Sequence, residues 1–167
     1  QIDDVKGDGN CQFRAIAKAY NSSYFPNYPR YTHNQIREMA TVWMVNYQDD
    51  PIPDDSGPGD NLPLWQIITL DERSLREAKV KIEDDYENVQ MLIQDNNKKY
   101  FDRYILNMAK DGIWGDQYTL NAAAHALNIK IKVHSSADNS PVYIFNREQE
   151  NEIVIGHIAE VHYVSTA

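Results

Sequence analysis

Cysteine is the scarcest chemistry in this chain: one thiol, Cys11, in 167 residues. A lone cysteine excludes an internal disulfide framework and a zinc site built on several thiolates, and it makes a reducing, intracellular and cytosolic setting the default. Long apolar runs are missing too. No stretch approaches the roughly eighteen residues of a membrane helix, and no basic leader precedes an apolar segment, so neither a span nor a signal peptide is expected. Positive charge is in deficit, with 16 Lys and Arg against 25 Asp and Glu for a net charge of −9. Such a surface repels phosphate backbones and suits a neutral or basic protein surface better than a nucleic acid. The five histidines are scattered over different segments, which disfavours a metal centre. Neither a repeat of about 20 to 50 residues nor a low-complexity tract is visible.

What is present suffices for a core, since 42% of residues are hydrophobic and 11% aromatic. The length fits one domain over residues 1–167, though the start at Gln1 leaves open that it is excised from a longer protein. Three blocks follow one another. A strand candidate at Ile2 to Val5 leads through a glycine loop into an apolar helix from Cys11 to Tyr20, and Thr32, His33 and Asn34 cap a second helix over roughly Gln35 to Tyr47. The Pro- and Gly-rich stretch from Gln48 to Pro63 reads as a loop, followed by a helical tract from Leu64 to Gly112, broken into two or three helices. In the last block Asp116 caps a helix carrying Leu120, Ala123, Ala124 and Leu127. Strands are expected around Ile129 to Val133, at Val142 to Phe145, at Ile153 to Ile155 and at Ile158 to Val164. The fold class is α/β in the α+β sense.

The stretch "GDGNCQFRAI" holds the lone thiol. A cysteine at the edge of an apolar helix is most often a small buried hydrophobe. Here Gly7 and Gly9 let the backbone turn tightly with its N–H groups inward, and Cys11 falls in the first helical turn, where unpaired N–H groups and the helix dipole favour a thiolate over a thiol. The N–H groups of Cys11 and of the Asp8 to Gly9 stretch are then candidates for holding the oxyanion of an acyl-transfer intermediate. A thiolate nucleophile needs a base. His33 lies in a capping segment, His125 in an alanine-rich helix, His134 at a strand end and His157 at a strand start, which leaves His162; a satisfied strand histidine is its alternative reading.

The set Asp8, Gly9, Asn10, Cys11, Phe13 and Arg14, then Trp114, Gly115 and Leu120, then His162 and Tyr163, resembles the ovarian tumour (OTU) domain deubiquitinases. That family carries a D-G-N-C nucleophile motif, a later W-G motif and an H-Y pair near its end, and the order here matches across nearly the whole chain. The resemblance implies an OTU-type, papain-like cysteine protease fold: a small central sheet flanked by helices, with a helical ubiquitin-binding insertion at about residues 62–112. It implies a thiol-dependent hydrolase of isopeptide bonds at the C-terminal glycine of ubiquitin, working with no cofactor and no metal on polyubiquitin chains and ubiquitinated proteins. Host cytosol is the setting implied if the chain is a pathogen or symbiont effector. On this resemblance Cys11 is expected to be the nucleophile and His162 the base, with Asp8 shaping the oxyanion loop. Gly9, Asn10, Trp114 and Tyr163 line the cleft for the ubiquitin tail, with core packing as the alternative for the two aromatic residues.

One position departs from the family. Many members place Asp or Asn two residues after the histidine to orient its ring, and Val164 stands there instead. Asp4, on the strand entering the loop, is the first candidate for that role, with Asp3 as the spare and a main-chain carbonyl or a water as the alternative. Within the insertion, Tyr100 to Tyr104 and the acidic run Glu83 to Glu87 are expected to contribute to ubiquitin binding, against a solvated helix face with its core stripe. Two other functions stay open: a ubiquitin-binding module that has lost turnover, for which Val164 is the hint, and the same chemistry on a ubiquitin-like modifier.

Overall fold

In the computed structural model the described residues are 8–52, 62–76, 98–136, 142–158 and 162–166, with backbone alone over 71–76. The strand candidate Ile2 to Val5, both Asp3 and Asp4, and Glu83 to Glu87 lie outside them. The chain divides into two compact units, one of Gln1–Trp43 with Met108–Ala167 and one of Met44–Asn107.

In the first unit, α1 (Cys11–Tyr24) buries Phe13, Ala15, Ile16, Ala17 and Ala19, a helical stripe that leaves Lys18 and Tyr20 less covered. It runs one turn past the expected end at Tyr20. The reason is Asn21, whose Nδ2 donates to the Tyr31 carbonyl at 2.8 Å while its Oδ1 accepts from the N–H groups of Arg30 and Tyr31 at 3.0 and 3.2 Å. A polar residue that would otherwise compete with the helix is satisfied by the next loop. Helix α2 (His33–Asn46) begins with a capping box in which the Thr32 hydroxyl accepts from the Gln35 N–H and the Gln35 side chain accepts from the Thr32 N–H. Thr32 alone is the cap, and His33 is already helical.

The second unit holds α3 (Leu64–Arg76) and α4 (Lys99–Met108), which reaches one residue into the first. Chain segments on either side of residues 53–61 meet through a Pro51–Pro63 bridge and through Leu64 N–H donating to the Asp50 carbonyl at 2.9 Å. Phe101 and Tyr104 are buried. Of the aromatic residues expected to meet ubiquitin, these two belong to the core, because they sit three apart on the apolar stripe of an amphipathic helix.

The first unit continues with α5 (Gln117–Ala126) and four strands, β1 (Lys130–Ser135), β2 (Val142–Phe145), β3 (Glu152–Ile158) and β4 (His162–Ser165). The sheet order is β2-β1-β3-β4, with β1 and β3 parallel and both outer pairs antiparallel. Ile131, Val133, Ile153 and Ile155 are its buried centre. Helix α1 packs on β3 and β4, and α5 on β1 and β2. The expected single strand from Ile158 to Val164 is a correction: Ile158 ends β3 and pairs with His162, the first residue of β4. The alternation of side chains continues in phase through both strands, so periodicity carried no sign of the break.

Helix α5 has the stronger start. The Asp116 carboxylate accepts from the N–H groups of Tyr118 and Thr119, while the Asp116 N–H donates to the Thr119 hydroxyl at 2.8 Å. Asp116→Ala removes the carboxylate half of this box, the acceptor for two N–H groups, and is expected to lower unfolding stability by about 1–2 kcal/mol. Urea titration of the two proteins reads the difference, and equal midpoints with equal slopes would contradict it.

Candidate active site

Cys11 is the first residue of α1 and is buried, with 4% of its surface exposed. The loop before it is held by Asp8. Its carboxylate accepts from the Asn10 N–H at 3.0 Å and forms a two-point pair with Arg14, at 3.3 Å to Nε and 2.9 Å to NH2. Arg14 sits one turn into the helix, so the pair locks the loop onto α1. The Cys11 N–H donates to the Asp8 carbonyl at 3.2 Å, so in this state it serves the loop's own turn.

Asn10 is buried and gives no side-chain cap to α1. Its Oδ1 instead accepts from Arg37 NH2 at 2.6 Å and from the Gly112 N–H at 2.9 Å, and its Nδ2 donates to Asp111 at 3.1 Å. The two chain segments come so close that a Cβ on Gly9 would overlap the Gly112 carbonyl, and Gly112 itself adopts φ +84°, a left-handed conformation natural to glycine. Arg37, 2% exposed, also donates to the carbonyls of Met108 at 2.8 Å and Ile113 at 2.7 Å and lies 4.2 Å from the Phe13 ring centre. Its Nε has no partner among the described residues.

On the other side of Cys11, the buried Gln12 amide donates to the Asp116 carbonyl at 3.0 Å and accepts from the Thr119 hydroxyl at 2.6 Å. It also hydrogen-bonds Tyr163. Burial holds the Tyr163 phenol above its ordinary value, and the neighbouring Cys11 pushes the same way. Tyr163 stacks on its cross-strand partner His157 with ring centres 4.2 Å apart, and the pair lines a cavity of about 340 Å³ with Leu120, Val133, Ser135 and Phe145. Gly115 is required by Gln12, whose side chain occupies the place a Cβ would take.

The structure thus brings Asp8, Gly9, Asn10, Cys11 and Tyr163 into one neighbourhood. His162 lies at the head of β4, half-buried, beside Tyr163 on a strand that packs against α1. Trp114 is 56% exposed, which removes the core-packing alternative for it. Sequence reasoning missed Arg37 and Gln12. The one signal for Arg37 was a charged residue between Ile36 and Ala40 on the buried side of α2.

The family described as OTU-like cysteine protease matches residues 6–165. The chain belongs to that family. Its relatives include the ovarian tumour domain-containing deubiquitinating enzyme 10 of Arabidopsis thaliana, 33% identical in an alignment of 163 positions that covers 95% of this chain and 32% of that protein. The chain spans 15% to 32% of the length of the curated relatives it matches. Among solved structures, the viral OTU domain protease from Farallon virus superposes with a TM-score of 0.58 at 18% identity, covering 99% of this chain and 82% of that one. The Hazara virus OTU bound to ubiquitin superposes at 0.56 and 12% identity over 99% and 79%. These likenesses establish the α+β fold: five helices and a four-stranded sheet among the described residues of this OTU domain.

Two titrating groups flank the loop. His33 Nε2 lies 3.7 Å from Asp111 Oδ1, which taken alone favours a charged ring, but burial and the Arg14 charge outweigh it and hold the ring below the ordinary histidine value of 6.5. Its hydrogen bond with Arg14 holds the Asp8 carboxyl below 3.8. For both groups the unfolded chain binds the proton more readily, so the stability each contributes is present above its unfolded pKa and is lost as pH falls. His33→Gln is therefore expected to flatten the loss of stability between about pH 6.5 and pH 5, and Arg14→Met the loss below about pH 4. Urea midpoints measured across that range check both, and profiles parallel to wild type would contradict the assignment.

Proposed function

We propose that this OTU domain is a deubiquitinase that cleaves the isopeptide bond between the C-terminal glycine of ubiquitin and a substrate lysine. Family membership over residues 6–165, with Cys11 opening α1 behind the Asp8-Gly9-Asn10 turn, is the observation that carries the reading. The Cys11 thiolate adds to the glycine carbonyl carbon, and the carbonyl electrons move to oxygen. The Cys11 N–H exchanges the Asp8 carbonyl, a long partner at 3.2 Å, for the stronger charge of that oxyanion. His162 gives its proton to the lysine nitrogen as the C–N bond breaks, leaving a thioester on Cys11. It then takes a proton from the water that hydrolyses the thioester, and the free carboxylate and thiolate are restored.

A Gly-Gly tail has no side chains to grasp, so the cleft must be narrow and walled by backbone and flat rings. Gly9 and Asn10 on one side, with Tyr163 and the exposed Trp114, supply such walls. Asp4 is proposed to orient His162. The setting is proposed to be cytosolic, and the partners ubiquitin chains and ubiquitinated proteins. A second reading rests on Val164, whose apolar side chain is 2% exposed where an orienting polar group is common in the family: a ubiquitin-binding module without turnover.

Incubation with ubiquitin bearing a C-terminal fluorogenic amide, and with linkage-defined diubiquitins, separates the two. Wild type is expected to release product, Cys11→Ala and His162→Ala to lower kcat by at least about a thousandfold, and Asp4→Ala by about ten- to a hundredfold. Binding without release from any substrate favours the module. Labelling of Cys11 by a suicide probe of a ubiquitin-like modifier, and by no ubiquitin probe, moves the substrate to that relative.

A further inference from the structure

We infer that Arg37 is a positioning residue for Cys11, acting through Asn10. The inference rests on the proposed chemistry at Cys11. The guanidinium holds three oxygen acceptors from two chain segments: Asn10 Oδ1 at 2.6 Å beside the nucleophile, and the main-chain carbonyls of Met108 and Ile113 at 2.8 and 2.7 Å. Its flat face rests on Phe13, 4.2 Å from the ring centre. Asn10 and Phe13 flank Cys11 at the start of α1, so one side chain grips the first helical turn on both sides of the thiol.

The placement is costly, and that cost separates this arginine from ordinary packing. A cation 2% exposed has given up its water, and no carboxylate among the described residues touches the guanidinium; Asp8 and Asp111 act on it only through space. An apolar residue of similar length would fill the site without that penalty. What it would not provide is a rigid planar fork with donors fixed in direction, which is what three acceptors at set angles require. Asn10 Oδ1 has one further donor, the Gly112 N–H at 2.9 Å, and so its position is defined from α2 and from the Met108 to Ile113 segment at once. Loss of the fork leaves Asn10 with Gly112 and Asp111 alone and frees the backbone that carries Cys11 to drift relative to its target. Displacements of about 1 Å at a reacting atom are enough for about a hundredfold in rate.

A purely structural arginine would lower the melting temperature and leave turnover by the folded protein intact. The test therefore uses Arg37→Met, Asn10→Ala and the double variant, each shown by near-UV circular dichroism to be folded at the assay temperature. With the ubiquitin fluorogenic amide, Arg37→Met is expected to lower kcat by about 10- to 100-fold with KM within about twofold, and to lower it much less in the Asn10→Ala background, since the second change removes the group through which Arg37 acts. Arg37→Lys, which keeps the charge without the fork, is expected to recover part of the loss and serves in its place if Arg37→Met does not fold. An unchanged kcat in a folded Arg37 variant, or equal losses with and without Asn10, overturns the proposal. Because Cys11 is the only thiol, its reaction with an aromatic disulfide reagent reads the same cycle without ubiquitin: Arg37→Met is expected to speed it at least about fivefold by loosening the loop over the buried sulfur, and to do so less in the Asn10→Ala background. Wild type that cleaves nothing, while this thiol cycle stays coupled, defeats the deubiquitinase reading and leaves Arg37 in its role; an uncoupled thiol cycle removes the role whether or not wild type cleaves.

Discussion

The Asn10 side chain is the fixed point of this site. An asparagine before a helix ordinarily turns its oxygen back onto the helix's own N–H groups. Here the oxygen turns away, to Arg37 and Gly112, and α1 begins with no side-chain cap. The interaction joins segments about a hundred residues apart in sequence at the residue before the thiol. Much of the neighbourhood follows from it: glycine at 112 to present its N–H at φ +84°, glycine at 9 because the Gly112 carbonyl fills the space of a Cβ, and a buried cation to complete the acceptor.

Gln12 repeats the device on the far side of Cys11. Its amide binds the Asp116 carbonyl and the Thr119 hydroxyl, and Thr119 is also the partner of Asp116 in the capping box that starts α5. The residues on either side of the thiol are thus each tied to the segment from Met108 to Thr119, one through its loop and one through the start of its helix. Tyr163 closes the arrangement by meeting Gln12 from β4. Since α1 packs on β4 and α5 on β1, the sheet sets the distance between the two helices that these polar contacts join. Neutral hydrogen bonds of this kind contribute about 1 kcal/mol each to stability, and their larger effect is to select one geometry among several that the apolar core alone would accept.

What the sequence made legible was local. Asp116 ahead of the apolar stripe of Leu120, Ala123, Ala124 and Leu127 announces a cap, the alternation from Ile129 to Val133 announces a strand, and Asp8 to Cys11 announces a tight turn into a helix. Arg37 was not legible, because a charged residue on an amphipathic helix is ordinarily on its wet side, and only the fold shows that this one faces inward toward carbonyls left at the end of α4. The break between Ile158 and His162 was hidden because both strands keep the same alternation. For Phe101 and Tyr104 the sequence leaves two readings, because aromatic residues in a charged tract fit a docking face and a core stripe equally well until burial decides. The departures from local reading gather around Cys11, where Asn10 forgoes its cap and Arg37 its solvent.

Val164 shows how far the strands constrain the proposed base. It pairs with Gly156 across β3 and β4, and its Cγ2 fills the space where a Cβ on Gly156 would stand. With 2% of its surface exposed, the position is apolar and closed. A carboxylate there would lose its water, and Gly156 has no side chain with which to answer it, so the desolvation would exceed any gain from orienting an imidazole two residues away. The glycine and the valine are complementary halves of one packing solution, and a polar residue at 164 would need a different residue at 156 as well. At position 164 the strand pair therefore settles on packing, and it offers the proposed base no polar atom there.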